Sequence, residues 1–93
     1  MECHTAGWVS KNQWEATLRE SCDSKEAARA LEKKARRAAS NMSGNPRSKV
    51  SVTGSVVYID LKYSRGTVTR VFGADETQVI AGRVESEFRR KLR

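Results

Sequence analysis

Ninety-three residues, 38% hydrophobic and 31% charged, have an ordinary globular composition, enough for one small domain with a thin core. Eighteen Lys and Arg against 11 Asp and Glu leave a net charge of +7 and a pI near 9.9, a balance that favours encounters with anionic surfaces. The longest apolar run, Val56 to Ile59, excludes a membrane-spanning helix, and the opening MECHTAGWVS has neither the basic nor the apolar region of a signal peptide.

A reducing cytoplasm is therefore expected, with Cys3 and Cys22 as free thiols. With His4 they make three potential metal ligands, one short of a structural zinc site, so neither metal nor cofactor is expected.

Residues 1–9 read as a flexible arm carrying Trp8. Ser10 and Gln13 have the spacing of a capping box and predict a helix from about Lys11, with Trp14, Leu18 and Cys22 as its apolar stripe. Asp23 and Ser24 interrupt it. A second capping pair, Asp23 with Glu26, opens a second helix, and one long bent helix is the alternative.

The second helix, from about Ser24 to Met42, has two unlike faces. Ala28, Leu31, Ala35, Ala38 and Met42 make a small-residue seam, while Lys25, Arg29, Lys33, Arg36 and Arg37 lie opposite. Gly44, Asn45 and Pro46 end it.

From Lys49 the periodicity changes to two. Val57, Ile59, Leu61 and Tyr63 share one face of a strand; Val56, Tyr58, Asp60 and Lys62 share the other. Val50 and Val52 have the wrong parity, which a turn or bulge at Thr53-Gly54 corrects. The same stretch, TGSVVYIDLKY, resembles a strand of the small Alu-domain proteins of the signal recognition particle, RNA binders with a helix–three-strand–helix order. The long Ala-rich helix departs from that pattern, and no function is carried over.

Ser64-Arg65-Gly66 reads as a hairpin loop and Thr67 to Phe72 as the returning strand. Asp75 and Gln78 then cap a last helix, whose buried stripe is Ile80, Val84, Phe88 and Leu92. Glu85–Arg89 and Glu87–Lys91 are its surface ion pairs.

The expected fold is thus an α+β two-layer sandwich in the order α-α-β-β-β-α, with a two- or three-stranded antiparallel sheet. It is one domain over 1–93, comprising the arm, a helical half at 10–43 and a strand–strand–helix half at 48–93. No internal repeat is legible.

No phosphate loop, nucleophile elbow or paired-carboxylate signature is present, and the single His lies in the arm, so no enzyme is expected. The basic helix face points to nucleic acid or an acidic protein surface, because Lys and Arg displace condensed counterions without a sequence motif. Lys62 and Arg65 belong to that candidate footprint, and Arg47, Lys49 and Arg70 extend it if they lie beside the helix; Tyr58 either stacks a base or, the reading preferred, covers part of the polar strand face. The competing reading is a protein-binding adaptor or small inhibitor using the Ala28/Leu31/Ala35/Ala38/Met42 seam, a geometry that also admits a homodimer.

Overall fold

The period-two segment is the centre of the architecture. In a computed structural model describing all 93 residues, β4 (Val56–Ser64) is flanked on both edges, by β2 (Gln13–Ser21) and by β3 (Arg47–Thr53). With β1 (Glu2–Ser10) outside β2, the sheet has four antiparallel strands in the order β1-β2-β4-β3. The fold class is α+β, but the element order is β-β-α-β-β-α, and the sheet is larger than the two or three strands expected. The helix–three-strand–helix order of the Alu-domain proteins is not matched.

Two stretches adopt structures other than those expected. Residues 2–21 are a β-hairpin rather than an arm and a helix. The Trp14–Leu18 spacing of four is one helical turn, but it is also two strand periods. The structure uses the latter: Trp14, Ala16 and Leu18 are buried, and Glu15, Thr17 and Arg19 face the other way. The Ser10 hydroxyl accepts from the Asn12 backbone N–H across the two-residue turn instead of capping a helix.

The second difference is Thr67–Phe72, which pairs with nothing. Its Thr and Val content favours a strand, but β4 already has a neighbour on each side, so no edge of β4 is left for it. The chain turns away in a short helical turn, α2 (Arg65–Thr67), then a wider π-helical segment, Val68–Phe72. Val68 and Phe72 are buried there.

The remaining elements follow the sequence closely. Helix α1 runs Lys25–Ser40, capped by the Ser24 hydroxyl, which accepts from Ala27 N–H at 3.0 Å. The cap is Ser24, not Asp23. Beyond the helix Gly44 and Asn45 both have positive φ, at 81° and 50°. A Cβ on Gly44 would also collide with the Thr67 side chain, so glycine is required twice over. The turn at Gly54 restores parity: Val50 pairs with Ile59 and Val52 with Val57.

Helix α3 runs Thr77–Leu92 and is capped by Glu76 rather than Asp75. Ile80, Val84 and Phe88 are fully buried, and Leu92 packs on the core edge. Glu85–Arg89 forms at 3.2 Å. Glu87 instead turns inward, 5% exposed, and its carboxylate accepts from the Ser43 backbone N–H at 3.0 Å and from the Ser43 hydroxyl.

The chain is two ββα units, and the helices lie across units. Helix α1 lies over β3 and β4, whereas α3 lies over β1. Val57, Ile59 and Leu61 share one core of 18 buried residues with Ile80, Val84, Phe88 and the α1 alanines. Both helices cover the same sheet face, and the opposite face carries no helix.

Candidate functional site

Helix α1 is held in place by its small-residue seam. Ala28, Ala35 and Ala38 are fully buried, Met42 is 4% exposed, and Leu31 is half-buried against the core. Residues this short let the helix approach β3 and β4 closely, and they leave the opposite side in water. The seam that the sequence offers as a protein interface is therefore part of this chain's own core.

Lys25, Arg29, Lys33 and Arg37 form the exposed side, spanning about 18 Å at helical rise. None of these four takes part in an ion pair. Like charges four residues apart destabilise a helix by a few tenths of a kcal/mol per pair. Only Arg37 gains from its position, next to the negative end of the helix dipole. Arg36 is also exposed but is engaged, bonding Glu32 at 2.6 Å and the Val50 carbonyl at 3.3 Å, which ties α1 to β3.

The other two candidate cations lie elsewhere. Lys62 alternates with Leu61 and Tyr63, so it projects from the helix-free face of the sheet. Arg47 and Lys49 are on that same face, because they pair with Lys62 and Asp60. Arg65 sits at the corner after β4, with its guanidinium carbon 4.1 Å above the Trp8 ring. It also donates to the Lys11 carbonyl at 2.5 Å and lies 3.7 Å from the Asp75 carboxylate. Arg65 is thus a fastening for the β1–β2 turn. Arg70 is exposed in the π-helical segment. The sequence-predicted footprint is consequently not one patch: α1 carries one basic surface, and the opposite side of the sheet carries another.

Two cross-strand contacts of the sheet engage its charged side chains. Arg19 donates to Glu2 at 3.0 Å, a bond and charge that hold the Glu2 carboxyl below its usual range and raise the Arg19 guanidinium. Asp60, the lone acid on β4, accepts from the Thr17 hydroxyl at 2.7 Å.

Trp8 has a part that sequence reasoning misses. It is no member of a loose arm: it pairs with Trp14 across the hairpin, and its ring N–H donates to the Asp75 carbonyl at 3.0 Å. Its neighbour Gly7 and the lack of apolar–polar alternation around it leave no strand signal strong enough to find it. Cys3 and Cys22 are separate and half-buried, and burial pushes the Cys3 thiol up. No three His, Cys, Asp or Glu side chains converge as a metal-ligand set. No helix is long and apolar enough to cross a membrane. No protein family, no curated protein and no solved structure matches the chain.

Proposed function

We propose that this chain is a non-enzymatic binding module of the cytoplasm that holds nucleic acid through the exposed face of α1. The observation that carries the reading is the stripe Lys25, Arg29, Lys33 and Arg37, exposed and without ion-pair partners on a helix locked down from behind. Phosphates favour such a surface, because each neutralised phosphate releases condensed counterions. An acidic protein partner is less well served. Protein interfaces draw their energy from buried aromatic or large apolar anchors, and the apolar residues on the outer side of α1 are Ala27 and Ala30. The adaptor reading loses its surface as well, since its seam residues belong to the core.

The test is a salt titration of wild type and of Arg29→Glu/Lys33→Glu/Arg37→Glu against random duplex and single-stranded oligonucleotide. The triple reversal weakens binding uniformly across sequences, and each lost phosphate contact lowers the log–log salt slope by about one. Circular dichroism shows the fold intact, because reversal relieves repulsion on a face that does not pack. Wild type binding neither oligonucleotide at about 50 mM salt, where electrostatic binding is strong, rejects the reading and leaves an acidic protein surface as the partner.

A further inference from the structure

The helix-free face of the sheet gathers three cations on its β3–β4 side. Strand register sets Arg47 directly opposite Lys62 and Lys49 opposite Asp60. All three cations are exposed and none makes an ion pair. Strand geometry keeps them within roughly 8 Å of one another. Like charges directly opposite on a sheet are destabilising. Two carboxylates share the face: Asp60 accepts from the Thr17 hydroxyl on the neighbouring strand, and Glu15 of β2, opposite Lys62, accepts from the Gln13 side chain at 2.9 Å. A shallow hollow of about 400 Å³ opens between these side chains and Ser48, with no apolar residue in its lining.

One step further along β4 the surface changes character. Tyr58 follows Asp60 on the same face, opposite Ser51, half-buried and flanked by the His4 ring at 6.3 Å in an edge-on arrangement. The cations and the aromatic ring therefore lie along one line of the sheet.

We propose that this β3–β4 corner is a second nucleic-acid surface, taking single-stranded chains, with Arg47, Lys49 and Lys62 on phosphates and Tyr58 stacking a base. Charge selects the phosphates. The flat sheet selects the single strand, because it has no element to enter a groove, and a base can lie on the Tyr58 ring only once it has left a duplex stack. The corner lies on the side of the sheet away from α1, so it is separate from the α1 surface, though it shares the partner class proposed there.

The experiment titrates a fluorescent single strand of about 8 nucleotides, within the span of single-strand-binding surfaces, and a duplex of the same length. The proteins are wild type, Arg47→Glu/Lys62→Glu, Tyr58→Leu and the α1 triple reversal. The corner reversal weakens single-strand binding at least tenfold, and Tyr58→Leu about tenfold, each with a much smaller effect on the duplex. Arg47→Glu alone places opposite charges across the β3–β4 pair, so it keeps the fold and also weakens the single strand. If the corner variants leave single-strand affinity within twofold of wild type while the α1 reversal removes binding, the second surface is refuted and the α1 reading stands. If the corner variants alone lose binding, the second surface stands and the α1 reading falls. If wild type binds neither oligonucleotide, both fall.

Discussion

The guanidinium of Arg65 lies 4.1 Å above the indole of Trp8, joining residues far apart in sequence at the corner where β4 gives way to α2. The contact links the first hairpin to the chain reversal that replaces a fifth strand. Both partners have further anchors: Arg65 reaches the Lys11 carbonyl and Trp8 the Asp75 carbonyl. Arg65 is thereby a structural cation in a chain whose other surface cations are mostly unpaired.

Arg65→Ala should therefore lower stability rather than binding. A partly exposed cation–π contact is worth about 0.5–1 kcal/mol, and the lost hydrogen bond adds about 1 kcal/mol. A thermal melt should register the loss, while oligonucleotide affinity stays within twofold of wild type. An unchanged melt with weakened binding would return Arg65 to the anion-binding set.

Leu61 is 1% exposed in the centre of the sheet's covered face, in the core shared with Ile80, Val84 and Phe88. Leu61→Ala should cost about 2–5 kcal/mol as a buried truncation. Chemical denaturation of the variant checks it. The neighbouring Lys62→Ala, on the helix-free face, should change stability by no more than about 0.5 kcal/mol.

Tyr63 predicts an alkaline limit to stability. Burial, with the Glu87 carboxylate as a lesser cause, raises its phenol well above the ordinary tyrosine value of 10. The folded chain thus keeps this proton where the unfolded chain releases it. The corresponding stability is fully present below about pH 10 and is lost as pH rises from there toward the raised value. Melts of wild type and Tyr63→Phe between about pH 8 and pH 11 should diverge above pH 10, with wild type falling faster. Parallel curves would show that the phenol is not buried. No protein group pairs with the Tyr63 hydroxyl, so Tyr63→Phe should not destabilise the fold near neutral pH by more than about 0.5 kcal/mol.

The thiols give a simpler expectation. Cys3 pairs with Leu18 in the hairpin, and Cys22 lies four residues further along the chain. At strand rise this separates the cysteines by roughly 13 Å, beyond the reach of a disulfide. Intact mass spectrometry of freshly isolated protein should find both thiols free. Alkylation of the folded chain should be slow at Cys3, whose thiol burial holds protonated. A stoichiometric disulfide would show that β1 does not pair as described.

Helices α1 and α3 and the strand β4 are legible in the amino-acid sequence. Helix α1 lies within two residues of the expected Ser24–Met42, because alanine content and the Gly44-Asn45-Pro46 stop act within a few residues of the chain, although its cap is Ser24 and not the expected Asp23. The buried parity of β4 and the stripe of α3 are equally readable, since each repeats a single period over its whole length. The turn at Gly54 is recoverable from the parity mismatch of Val50 and Val52.

Tertiary structure alone decided the rest. Trp14 and Leu18, four apart, satisfy a helix and a strand equally, and pairing of residues 13–21 along β4 made the strand the state adopted. Thr67–Phe72 had strand composition, but β4, the strand it would have joined as a hairpin, has β2 and β3 on its two sides. Charge followed the same division. Composition and helical spacing alone determined that α1 would expose a basic stripe. Which further cations join it depends on the pleat, which turns Lys62 outward between Leu61 and Tyr63 and pairs it with Arg47 on the side of the sheet that the helices leave open.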